Sequence, residues 1–176
     1  MGRAAAEQLL PGEWACLGIL YEGPNHGFAI ASRLKPDGDI GRVWSLSRPL
    51  TYRSLDQLAL RGYIEPIGEE RGIAGGNRTV LAATRQGRAR LRTWVRTPVD
   101  HLRDLRSELL LKLVIAERCG IDVATMLTAQ RERIASIADG LDHQVAGAGG
   151  RADVVALWRH EAADAALRFV DAARSR

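Results

Sequence analysis

The stretch "SLSRPLTYRSLDQLALRGYIEP", residues 45–66, decides the fold. At about 100° per residue, Tyr52, Leu55, Leu58 and Ala59 share one side of a helix, and Arg53, Ser54, Gln57 and Arg61 share the other. Ser47 stands where an N-cap is needed. Pro49 is tolerated in a first turn because its missing N–H has no intrahelical partner there, and Gly62 fits the stop. The pattern predicts a helix over 48–61, seated on Tyr52, Leu55 and Leu58, with Ile64 just beyond it. Its other face offers short hydrogen-bonding groups and guanidinium forks, which suit phosphate oxygens and base edges. A solvated surface helix can carry the same residues, so the flanking segments have to separate the two readings.

Upstream, residues 1–8 read as a flexible arm. "LLPGEWACLGILYEG" (9–23) places Leu10, Trp14, Leu17 and Leu20 or Tyr21 at helical spacing and stops at Gly23-Pro24. "HGFAIASRLK" (26–35) predicts a second short helix with Phe28, Ile30, Ala31 and Leu34 available for burial, and a loop runs from Pro36 to Trp44. Downstream, "YIEPIGEE", "RGIAGGN" and "RTVLAAT" read as strand, glycine-rich turn and strand, a β-hairpin over 63–84 with Pro66 on an edge. The order helix, helix, helix, hairpin is that of a winged helix-turn-helix. In that arrangement the first turns of the third helix reach the floor of the major groove and the hairpin flanks it on the backbone. The expected contacts are therefore Ser47, Arg48 and Thr51 in the first turn and Arg53, Ser54 and Gln57 on the exposed face, with Tyr52 reaching a phosphate through its hydroxyl.

Charge agrees with this placement. Of the 25 Lys+Arg and 21 Asp+Glu, residues 1–98 hold 14 and 9, a net of +5, and residues 99–176 hold 11 and 12, a net of −1. The positive excess lies in the half that carries the helix–hairpin pattern, as an anionic partner requires.

Thr84 can cap "RQGRARLRTWVRT" (85–97), whose apolar positions are Leu91, Trp94 and Val95, and Thr97-Pro98 marks the expected domain boundary. The second half reads as three helices and no strands. Residues 100–118 carry Leu102, Leu105, Leu109, Leu113 and Ala116. A long helix from Asp122 to about Val145 carries Val123, Leu127, Gln130, Ile134, Ile137, Leu141 and Val145, a coiled-coil-like seam with one polar position. After "GAGG" (147–150), a last helix over about 152–174 carries Val154, Trp158, Ala162, Ala165, Phe169 and Ala172. The expected fold is mainly α with a small β-hairpin: an N-terminal winged helix-turn-helix (9–98) and a C-terminal three-helix, coiled-coil-like dimerisation domain (99–176). A thin helical arm has apolar surface to spare, so Leu105, Leu109, Leu127, Ile134, Ile137, Leu141, Trp158 and Phe169 are expected at a homodimer interface. A self-contained three-helix bundle is the alternative. Trp94, Trp158 and Phe169 are candidates for the lining of a flat-ligand pocket, with ordinary core as the competing role.

Other chemistries lack their signatures. His26, His101, His143 and His160 show no metal-ligand spacing and there is no Cys-x-x-Cys, so no metal is expected. No nucleophile elbow, phosphate-binding loop or dinucleotide fingerprint occurs, and no cofactor or enzymatic activity is expected. Cys16 and Cys119 read as free thiols in a reducing cytosol. The N-terminus lacks a signal-peptide run and no window is apolar enough for a membrane span, so a cytoplasmic location is expected.

The residues "LGIL" (17–20), "GPNHGFAI" (23–30), "LTYRSLDQLALRGYIEP" (50–66), "TRQGRARLRTW" (84–94) and "LRSELLLKL" (105–113) resemble the PadR family of bacterial transcriptional regulators. The spacing Tyr52, Leu55, Leu58, Gly62 after His26-Gly27 carries most of the likeness, which covers nearly the whole chain. The resemblance implies a repressor that dimerises through C-terminal helices and binds an inverted repeat in double-stranded DNA, in a family that often responds to small aromatic or drug-like molecules. It places DNA contacts at Ser47, Thr51, Tyr52 and Arg53 and in the wing around 71–78, which includes Arg71 and Arg78. Where the family has a small-residue turn before the tyrosine, this chain carries Arg48-Pro49. The reading from another class is a dimeric helical protein-interaction adaptor whose basic face is only solvated.

Overall fold

The computed structural model describes residues 8–71, 76–147 and 153–176, with side chains described to residue 143 in the middle segment. Most of each glycine turn expected at 72–76 and 147–150 lies outside the described residues, as does most of the expected arm.

The elements, in chain order, are α1 (Pro11–Glu22), β1 (Asn25–His26), α2 (Gly27–Arg33), α3 (Arg48–Leu60), β2 (Ile64–Arg71), β3 (Asn77–Ala83), α4 (Arg85–Val95), α5 (Leu102–Asp104), a π-helical turn (Leu105–Leu109), α6 (Leu110–Cys119), α7 (Ala124–Gly147) and α8 (Val154–Arg174). They divide into two compact units: Met1–Val95 with Leu110–Ile121, and Arg96–Leu109 with Asp122–Arg176. The expected cut at residue 98 therefore misses one element. α6 packs with the first unit, and the division falls where the π turn meets α6. The single helix expected over 100–118 is in fact α5, the π turn and α6 in succession. No glycine or proline punctuates that stretch, so residue-level signals could not have found the break.

In the first unit α1 is buried almost all round, from Gly12 to Leu20, as a helix without a polar face must be. Gly18 admits α6 closely: a Cβ there would meet Ile115 Cδ1 at 2.8 Å. Around α1 the core gathers Ile30, Leu34, Ile40, Leu55, Leu58, Ile64, Leu91, Val95, Leu111 and Ile115. Cys16 lies in this core, and burial followed by the neighbouring Glu13 carboxylate pushes its thiol up to about 12. A four-membered ion cluster joins α1, α2, the following loop and α6. Arg33 meets Glu22 at 2.7 Å and Asp39 at 2.8 Å, while Arg118 meets Glu22 at 2.8 Å and Asp39 at 2.9 Å. Burial alone would raise the Glu22 carboxyl, but hydrogen bonds from Arg118 and Arg33 outweigh it and hold the group below its ordinary range.

The sheet is antiparallel in the order β1–β3–β2, with Asn25 opposite Leu81, Ile64 opposite Ala83 and Arg71 opposite Asn77. β2 is an edge strand, the place where Pro66 costs no ladder bond, and a register shift between Pro66 and Gly68 bends it. β1 is only two residues long and has no sequence signal of its own.

In the second unit α7 and α8 form an antiparallel pair. Ala138, Leu141 and Ala163 are buried with Leu102, Ile137 and Leu167 packed on them. Arg131 bonds Asp171 at 2.7 Å and His160 meets Asp142 at 2.6 Å across the pair. Gln130, the polar position of the expected seam, is buried within the chain. Its Oε1 accepts the Val99 N–H at 2.7 Å and its amide nitrogen donates to the Val99 carbonyl at 3.1 Å. From Leu127 to Leu141 the seam is thus covered in cis, and the side chain of Val145 lies outside the described residues. Leu109, Leu127, Ile134 and Leu141, expected at a dimer interface, are buried in the single chain, and Ile137 packs on the α7–α8 core. Leu105 is half-buried in the π turn. Trp158 and Phe169, by contrast, are 72% and 40% exposed.

Candidate nucleic-acid interface

α3 begins as its sequence requires. Ser47 takes the N-cap position in extended backbone and Pro49 lies in the first turn. The Ser47 carbonyl accepts both the Thr51 N–H (2.9 Å) and the Thr51 hydroxyl (3.1 Å), while the Ser47 side chain makes no cap bond and is exposed. Leu55 and Leu58 seat the helix on the core. Two expected contacts change as a result. Thr51 is 0% exposed and its hydroxyl is used inside the helix, so it drops out of the contact surface. Tyr52, expected mainly as part of the buried seat, is 40% exposed. One edge of its ring lies on Gly27, where a Cβ would meet Tyr52 Cε1 at 2.7 Å, and the rest faces outward.

Arg53 is exposed, and Ser54 and Gln57 are half-exposed, on the free face of α3. Arg61, grouped with them by angle, is drawn away. Its Nη1 meets the buried Glu13 carboxylate at 3.1 Å, which ties the end of α3 to the start of α1.

The residue that organises this surface is Phe28, expected in the core but 45% exposed. The Arg48 guanidinium, from the first turn of α3, lies 5.3 Å from its ring centroid, and the Arg78 guanidinium, from β3, lies at 5.3 Å as well. Arg48 is also 5.8 Å from the Tyr52 ring centroid. Arginine over an aromatic face is attracted by the ring quadrupole, so α2, α3 and the hairpin present their cations at one place. The Cα partner of Arg78 in the ladder is Glu70, yet among the described residues no ion pair joins them. Arg71 is exposed at the end of β2. Helical geometry could have flagged Phe28. Ile30 and Leu34 fix the buried side of α2, and Phe28 lies about 200° from Ile30 around the axis.

Three helices with an antiparallel hairpin folded beside the third make the first unit a winged helix-turn-helix. Solved structures similar to the chain include two of Bacillus subtilis PadR. Bacillus subtilis PadR in complex with operator DNA is 17% identical over 92% of this chain and 97% of that one, with a TM-score of 0.47. A second crystal structure of Bacillus subtilis PadR is also 17% identical, over 93% and 92%, with a TM-score of 0.41. The protein smu.1604c of Streptococcus mutans UA159 is 16% identical over 94% and 99%, with a TM-score of 0.45. No family model and no curated protein matches the chain.

The expected ligand-lining set is not assembled within either unit. Trp94 belongs to the first, stacked on Trp14 with centroids 4.5 Å apart and planes 8° from parallel. Trp158 and Phe169 belong to α8 in the second. Among the described residues no group of His, Cys, Asp and Glu could hold a metal ion, and no helix is long and apolar enough to cross a membrane.

Proposed function

We propose that this chain is a PadR-like transcriptional regulator, a repressor, that binds double-stranded DNA as a homodimer. The first turns of α3 enter the major groove, with Arg53, Ser54 and Gln57 toward the base edges. Arg48 and Arg78 take phosphates on either side, and the hairpin lies along the backbone. The observation that carries the reading is the convergence of Arg48 and Arg78 on the exposed ring of Phe28, beside the polar face of α3. Cations held in advance on the helix–hairpin surface suit a polyanion of fixed phosphate spacing.

The dimer rests on the outer stripe of α8. Val154, Trp158, Ala165, Phe169 and Ala172 lie opposite the buried Ala163 and Val170, at spacings that keep them on one face. A second copy laying the same stripe against it would form an isologous two-fold interface, and a two-fold protein reads an inverted repeat.

Selection of bound fragments from genomic DNA tests the function. Recovery of a common motif with two-fold symmetry supports it. Recovery of no sequence preference would reduce the chain to a non-specific DNA binder, and absence of DNA binding would favour a protein-interaction adaptor.

A further inference from the structure

We infer that His26 and Arg78 together form a two-donor seat for one backbone phosphate, an inference that rests on the DNA-binding reading above. The tautomer of His26 follows from its local bonding. Its Nδ1 accepts the Ala29 N–H at 3.1 Å and caps α2, so Nδ1 carries no proton, and the proton of the neutral ring sits on Nε2. Nε2 lies 3.5 Å from Arg78 Nη1. That pair is therefore no hydrogen bond: two N–H donors converge on one place. An oxygen anion set to one side of the pair, within hydrogen-bond reach of both nitrogens, would satisfy both, and a phosphate oxygen bonded by a guanidinium and an imidazole N–H is a charge-assisted arrangement.

Both donors are held independently of any ligand. The His26 ring is fixed by its cap bond and by strand pairing, His26 opposite Val80 in β3. Arg78 is fixed by the Phe28 ring beneath its guanidinium. The His26 and Phe28 rings are neighbours, with centroids 6.4 Å apart, so the N-cap residue of α2 and the hairpin contribute one donor each to a preformed site. A neutral imidazole also makes a distinctive partner, since it bonds a phosphate without releasing a counterion.

The test uses the full-length chain and a mixed-sequence DNA duplex, with affinity measured over a series of salt concentrations. In His26→Asn the side-chain oxygen still accepts the Ala29 N–H, while the distal donor is gone. The expected result is binding about tenfold weaker with the slope of log affinity against log salt unchanged. Arg78→Gln should weaken binding and flatten that slope by about one. The double variant should bind no worse than the more damaged single variant by the full His26 factor, because both donors serve one phosphate. Wild-type affinity in His26→Asn, or a double variant that shows the full product of the two losses, overturns the seat while leaving the DNA reading intact. If the unaltered chain binds no duplex even at low salt, the DNA reading itself fails and the seat with it. Should His26→Asn melt early, a methylphosphonate scan of the duplex against the unaltered chain replaces it. One position whose neutralisation abolishes the effect of Arg78→Gln is expected, and the absence of any such position contradicts the seat.

Discussion

Arg78 lies over Phe28, its guanidinium 5.3 Å from the ring centroid, so a strand of the hairpin and α2, the helix before the recognition helix, share one exposed contact. Arg48 occupies the same ring from the start of α3. Each exposed cation–π contact contributes roughly 0.5–1 kcal/mol, too little to decide the fold. Its larger effect is on binding, since a long side chain ordered before the ligand arrives loses less rotamer freedom when it grips a phosphate.

Phe28→Ala should accordingly separate binding from stability. The unfolding free energy should fall by no more than about 1 kcal/mol, as for a partly exposed residue outside the core. Duplex affinity should drop several-fold with the salt slope preserved, because both cations remain. Phe28→Trp should restore affinity, the indole being the better cation acceptor. Titration by fluorescence anisotropy beside a denaturant melt checks both halves.

Arg53 and Thr51 make a contrasting pair two residues apart on α3. Arg53→Ala should cost roughly 1–3 kcal/mol on a selected operator, with specificity relaxed at one base position. Thr51→Val should leave operator affinity unchanged and cost about 1 kcal/mol of stability, the net value of the hydroxyl bond to the Ser47 carbonyl. A loss of DNA affinity in Thr51→Val at unchanged stability would return Thr51 to the contact surface.

Assembly should depend on α8 and not on the inner seam of α7. Trp158→Glu should give a folded monomer by light scattering, because the indole is mostly exposed in the single chain. Leu141→Glu should instead unfold the second unit, because a carboxylate there would replace a side chain packed with Ala138 and Ala163. A Trp158→Glu chain that stays dimeric would place the interface elsewhere.

Acid should loosen the first unit through Glu22 and Asp39. Both carboxyls are held below their ordinary values in the folded state. Burial opposes the shift at Glu22, where Arg118 and Arg33 overcome it, and the Arg33 hydrogen bond leads at Asp39. A depressed folded pKa contributes stability that is present above the ordinary carboxyl range and is lost as pH falls through the folded values. Stability measured by denaturant should therefore decline on acidification, and Arg33→Met should flatten that decline while lowering stability at neutral pH.

The third helix and the hairpin were legible because local signals agreed: Pro49 and Gly62 bound the helix, Leu55 and Leu58 mark its seat, and a glycine-rich stretch of sequence separates two strand patterns. What escaped was whatever depends on a partner distant in sequence. The period of Leu127, Ile134 and Leu141 says that one face of α7 is buried, but a period is silent on whether the cover comes from the same chain or another. Here the same chain supplies it, since all three are buried in the single chain, with Leu141 packed on Ala163 of α8. Thr51 misled because its position near the helix start suggests a free hydroxyl, whereas the preceding carbonyl captures it. The π turn at Leu105–Leu109 left no mark because leucine-rich sequence suits both kinds of helix.

The steepness of DNA binding in salt addresses the proposed function with a single titration. Log affinity for a duplex carrying a selected operator should fall linearly with log salt, with a slope reflecting several neutralised phosphates, at about 0.9 per phosphate. Arg48→Gln and Arg78→Gln should each flatten that slope by about one. A chain that binds no duplex at low salt, or whose binding is indifferent to salt and to both arginines, would contradict a DNA-binding role for this surface.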